Sequence, residues 1–162
     1  MRVRFIQAFA TVPRELFRLN NGPAVRLRAR PGPTRPQGVF DLLTHNGMDD
    51  GAAQGIVAGD IPAIATAPNG ASLRPNTPRQ RELVEDAWGD AACVYAIPAG
   101  TRLPGDLILV HEFRTHYSLQ AKRKMTVEEL NDTITRFLQS DARCLTKQQW
   151  LREYPQPTED EV

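Results

Sequence analysis

The sequence predicts an α+β domain made of small antiparallel sheets flanked by helices. Three observations carry that reading. The elements run in the order strands, a long loop-rich region, a helix, strands and two helices, without the strand–helix alternation that builds a parallel sheet. Thirteen prolines and 11 glycines among 162 residues keep each element short. There is no GxGxxG, no P-loop and no GxSxG, which removes doubly wound dinucleotide, P-loop and α/β-hydrolase folds. The length suits one domain, placed at residues 1–155, with 156–162 as a disordered acidic tail.

Leu16–Asn20 reads as the first clear strand, and Asn20-Asn21-Gly22 as a turn returning the chain into Ala24, Val25 and Leu27. Arg26, Arg28 and Arg30 alternate with Val25, Leu27 and Ala29, as in a half-exposed strand. Residues 31–38 form a loop, 38–44 a short apolar element, and 46–61 an excursion with a poor helix near 52–57. Residues 67–78 are rich in turn formers throughout. Thr77-Pro78 with Gln80 then starts a helix ending near Trp88-Gly89. Strands follow at 93–97, 107–110 and 115–119. Thr126 with Glu129 caps a helix whose apolar face is Val127, Leu130, Ile134, Phe137 and Leu138, and Thr146 with Gln149 caps a last one.

The net charge of +1 gives no bulk attraction to nucleic acid or membrane. The charge is nonetheless uneven. Arg2, Arg4, Arg14, Arg18, Arg26, Arg28, Arg30 and Arg35 face a single acid, Glu15, in the first 37 residues. Arginine suits phosphate and carboxylate through its planar fork, and a GC-rich genome gives the same bias. Cys93, within an apolar run, is expected as a buried core thiol, and the chain as a soluble one folding in a reducing compartment without a conventional secretion signal. No stretch reaches membrane-spanning length.

Three blocks hold chemistry. Arg18 and Asn20 share one face of the first strand, where an arginine must find an anion or acceptors. In 69–76 (NGASLRPN), small residues admit a ligand to the backbone while Ser72 and Arg74 can donate hydrogen bonds. In 111–120 (HEFRTHYSLQ), His116, Ser118 and Gln120 share one strand face, with Tyr117 and Leu119 on the other. His116 is the strongest single candidate, since imidazole donates or accepts near neutral pH. His45 and His111 read as structural or exposed. His111, Glu112 and His116 lack a spacing that makes ligands converge, so no metal is expected.

Together, LFRLNNGP (16–23), PNGASLRPN (68–76), IPAGTRLPGDLILVHEFRTHYSLQ (97–120) and MTVEELN (125–131) resemble the ADP-ribosyltransferase-like toxin family. More narrowly, the chain is similar to the family's type VI secretion cytotoxic effectors and their fungal relatives. The resemblance implies two facing antiparallel sheets around a cleft for NAD, the substrate, with no metal. It implies Arg18 and Asn20 as ligand-binding residues on the first strand, Ser72 and Arg74 as the second motif, and His116, Gln120 and Tyr117 as the third. His116, Gln120 and Ser72 are the expected catalytic residues. It also implies an intracellular acceptor, a small immunity protein as partner, and action in the cytoplasm, including that of a target cell. The third motif departs from the usual pattern, because the strand face of His116, Ser118 and Gln120 carries no acid, while Glu112 lies nearby in sequence with its direction open. NAD hydrolysis, a non-catalytic role and RNA or nucleotide binding therefore stand as alternatives.

Overall fold

Two antiparallel sheets meet edge to edge and share one core. The computed structural model describes residues 7–30, 42–43, 52–53, 70–123 and 125–160. The strands are β1 (Gln7–Phe9), β2 (Leu16–Asn21), β3 (Ala29–Arg30), β4 (Leu42–Leu43), β5 (Ala52–Ala53), β6 (Ala71–Leu73), β7 (Ala92–Ile97), β8 (Leu107–Phe113), β9 (His116–Ala121), β10 (Met125–Thr126) and β11 (Arg143–Thr146). The helices are α1 (Pro78–Glu85), α2 (Val127–Asp141) and α3 (Lys147–Glu153). One sheet has the order β1-β8-β9-β6 and the other β11-β7-β2, and two small pairs join β10 to β5 and β3 to β4. Among the described residues this is the α+β architecture expected, consistent with an ADP-ribosyltransferase-like domain.

The seam between the sheets lies at Phe17 and Arg74. Phe17 N donates to Arg74 O at 2.7 Å and Arg74 N to Phe17 O at 3.0 Å, which docks the chain beyond β6 onto β2. Strand alternation then sorts the side chains. Leu16, Tyr95 and Ile97 from one sheet and Leu73, Leu109, Tyr117 and Leu119 from the other pack with Leu130, Ile134, Phe137 and Leu138 of α2 into the main core. On the opposite face of the three-stranded sheet, Phe17, Val94, Ala96 and Leu145 pack with Val84 of α1 and the fully buried Trp150 of α3. Ile108 and Val110 form a third, small cluster with Ala8 on the outer face of the four-stranded sheet.

The helix starts follow local cap chemistry. The hydroxyls of Thr77, Thr126 and Thr146 accept from the amides of Gln80, Glu129 and Gln149, and Thr146 with Gln149 closes the full reciprocal box. Glu129 does not complete the box at α2, because its carboxylate pairs with Arg123 at 2.5 Å.

Several expectations are corrected. Asn20-Asn21-Gly22 ends β2 without a returning strand. The amides of Val25 and Leu27 bond instead to Thr135 Oγ1 at 2.9 Å and Asn131 Oδ1 at 2.8 Å on α2, so the alternating burial there comes from packing on a helix. Residues 71–73 form a strand rather than a turn, since β9 supplies its ladder partners. Leu42–Leu43 is strand, and Ala52–Ala53 pairs with β10 and is not helical; the rest of the expected 31–38 loop, 38–44 element and 46–61 excursion, and His45, lie outside the described residues. Helix α1 stops at Glu85, short of Trp88. Cys93 is buried but is no free thiol: it forms a disulfide with Cys144, their Cα atoms 6.2 Å apart across β7 and β11. Residues 156–160 were expected as a loose tail. Instead Thr158 and Glu159 amides donate to Asn76 O, Asn76 Nδ2 donates to Gln156 O, and Glu159 pairs with Arg14.

Candidate active site

Ser72 sits in the middle of β6, directly opposite Ser118 of β9. Alternation along β9 turns His116, Ser118 and Gln120 to the outer face of the four-stranded sheet, the face that β8 fills with Ile108 and Val110. On that face a chain of polar contacts runs inward from solvent. The exposed Ser72 hydroxyl lies 3.0 Å from His116 Nε2. His116 Nδ1 lies 2.7 Å from Glu112 Oε2. Gln120 Nε2 donates to Glu112 Oε1 at 3.3 Å and to Ser118 Oγ at 3.4 Å. The Phe113 ring stacks on the imidazole with centroids 5.2 Å apart, which limits how the ring can rotate.

Burial deepens along this chain. The His116 side chain is 15% exposed and that of Glu112 only 2%. A group at the mouth can therefore meet a ligand, while the groups behind it orient the imidazole. From β2, Arg18 Nη1 donates to Ser72 O at 3.2 Å. Arginine and histidine thus converge on one serine, one through its carbonyl and the other through its hydroxyl. Arg74 shares the strand face of Ser72 and is half-buried at the seam.

The structure brings together Arg18, Ser72, His116 and Gln120 among the expected site residues. It does not bring Asn20 or Tyr117. The Asn20 amide is buried and donates to Gly22 O at 2.6 Å and Ala24 O at 2.9 Å, so it holds the turn after β2. Tyr117 points into the main core and stacks against His111, ring centroids 4.3 Å apart. Burial pushes its hydroxyl above the ordinary phenol range. His111 is structural, its Nε2 lying 2.6 Å from Arg114 O in the hairpin turn.

The acid beside His116 is Glu112 of the neighbouring strand, whose direction the sequence left open. That strand was expected to end at Val110, whereas β8 runs on to Phe113 and carries Glu112. Among the described residues no group of three or more His, Cys, Asp or Glu is placed to hold a metal ion.

An arginine on the edge strand of one sheet thus stands beside a serine on the edge strand of the other and a histidine on the next strand. Residues 14–150 match the family model described as Tse2 ADP-ribosyltransferase toxin, and the chain belongs to that family. No curated protein and no solved structure matches it. No helix among the described residues is long and apolar enough to cross a membrane.

Proposed function

We propose that this toxin-family transferase uses NAD as its substrate and passes ADP-ribose to an intracellular acceptor. The observation that carries the reading is the convergence of Arg18 and His116 on Ser72 within a chain that belongs to this family. In the reaction the bond between nicotinamide and ribose C1′ breaks, neutral nicotinamide leaves, and an acceptor nucleophile bonds to C1′ through an oxocarbenium-like transition state.

Each residue suits one part of that chemistry. The Arg18 guanidinium is a fixed cation for the pyrophosphate of NAD, and a charge-assisted contact of this kind contributes roughly 1.5–3 kcal/mol. Ser72 of β6 and Arg74, two residues on at the seam, supply hydrogen bonds for the ribose. His116 is the group that can take the acceptor's proton. Gln120 stands behind it and keeps the polar chain satisfied. The same reading places action in the cytoplasm of a target cell, with a small immunity protein protecting the producing cell.

The test is nicotinamide release from NAD by the purified chain, with and without cell lysate, beside Arg18→Ala and His116→Ala. Release that needs lysate and falls about 10²-fold in both variants supports the transferase. Release without lysate marks NAD hydrolysis, with water as the acceptor. No release in either condition, with no shift of melting temperature by NAD, would sink the NAD reading.

A further inference from the structure

Glu112 stands at the one irregular step of the β8–β9 ladder. His111 opposes Tyr117 while Phe113 opposes His116, so Glu112 is the extra residue of a β-bulge. A bulge re-aims a side chain at the expense of a ladder bond. The adjoining turn is tight: Arg114 has φ 46°, the left-handed region that side chains seldom adopt, and its carbonyl oxygen lies beside His111 Nε2. The strand irregularity and the strained turn both serve to put one carboxylate beneath one imidazole.

That carboxylate is 2% exposed, and both of its oxygens are engaged, Oε2 with His116 Nδ1 and Oε1 with Gln120 Nε2. Enclosed in this way it has no surface for a substrate. It therefore acts only through what it touches. A buried carboxylate is costly unless partnered, and its partner here is the ring that faces Ser72.

We propose that Glu112 is a positioning residue that holds His116 in its Nδ1–H tautomer and thereby makes Ser72 Oγ an acceptor for a hydroxyl of the ligand. The directions follow from the donor inventory. An ionised carboxylate only accepts, so Nδ1 carries the proton, and Nε2 of the neutral ring accepts. Ser72 must then donate its hydroxyl proton to Nε2 across 3.0 Å, which leaves its oxygen lone pairs turned outward. The ligand group that meets Ser72 is consequently a donor, such as a ribose or acceptor hydroxyl, and not a carbonyl or phosphate oxygen. When Nε2 takes up a proton, the imidazolium lies against the Glu112 carboxylate, whose opposite charge stabilises it. The identity of that hydroxyl rests on the transferase reading; the tautomer does not.

Two measurements on the full chain test this. Long-range ¹⁵N–¹H spectra of the neutral histidine rings, with His116 assigned by its loss in His116→Ala, should show Nδ1 protonated and Nε2 bare. A bare Nδ1 with protonated Nε2 in the wild-type chain overturns the proposal. Glu112→Gln keeps the side-chain shape and removes the charge, and nicotinamide release should fall on the order of 10²-fold while the protein stays folded. A folded Glu112→Gln that releases nicotinamide at the wild-type rate also overturns it. If the wild-type chain releases none, the transferase reading fails, and the ring spectrum still decides the role of Glu112.

Discussion

Ser72 has little to do with stability and much to do with the site, because its hydroxyl is exposed while its backbone is locked between β9 and the seam. Ser72→Ala should change unfolding free energy by no more than about 0.5 kcal/mol, as exposed substitutions do, and lower nicotinamide release tenfold or more. Parallel melts and release assays check this, and a large loss of stability would mark Ser72 as a structural residue. Gly70 is the reverse case. A Cβ there would strike the Leu119 carbonyl oxygen and come within 2.6 Å of Ser118 Oγ and 2.9 Å of Gln120 Cγ. Gly70→Ala should cost about 1–3 kcal/mol through overpacking, read in denaturant, and push Gln120 away from Glu112. At this scale the sequence showed the residue types but not their directions. Period-2 alternation sufficed for His116 and Gln120, whereas Ser72 lay in a segment that read as turn. It could not show Glu112, whose aim depends on the bulge, nor that Asn20 satisfies its own turn.

Helix α2 is the element that holds the early chain in place. Its inner face fills the main core, and on another face Asn131 and Thr135 accept the amides of Leu27 and Val25. Asn131→Leu leaves the Leu27 amide without that acceptor and should cost about 1–3 kcal/mol, measured by denaturant unfolding. Ile134→Asp should prevent folding, since the side chain is fully buried. Val127→Asp should be much milder, because Val127 is only half-buried and an acid in the first turn meets the helix dipole favourably. The three helix starts were legible because a threonine cap is a local arrangement of four residues. Strands β1, β6 and β11 were not, because each is short and exists through its partner: β1 on β8, β6 on β9, β11 on β7.

On the scale of the molecule, two features tie distant parts together. The Cys93–Cys144 disulfide closes a sequence separation of 51 residues, and loop entropy puts its upper contribution at about 4 kcal/mol. Reductant, or Cys93→Ala with Cys144→Ala, should lower the melting temperature by several degrees. No spacing rule pairs two lone cysteines; the pairing of β7 with β11 makes them diagonal neighbours, Cys144 opposite Tyr95 and Cys93 opposite Thr146. The second feature is a set of phenols, Tyr95 and Tyr117 buried and Tyr154 half-buried. Burial, helped by the Glu15 carboxylate that accepts its hydrogen bond, pushes the Tyr154 hydroxyl up to about 12, and burial raises Tyr95 and Tyr117 as well. A folded value above the unfolded one means that the Tyr154 contribution is complete below about pH 10 and is lost as pH rises to about 12, with Tyr95 and Tyr117 acting in the same direction. Melting temperature should therefore fall across that window, with phenolate absorbance of the native protein lagging that of the unfolded chain. The central claim, that the site transfers ADP-ribose from NAD, is tested most directly by following label. NAD labelled in its adenylate half should leave label on an acid-precipitable lysate component, NAD labelled in nicotinamide should not, and His116→Ala should abolish the difference. Adenylate label that stays wholly soluble while the wild-type chain is folded and NAD is in excess would contradict the account.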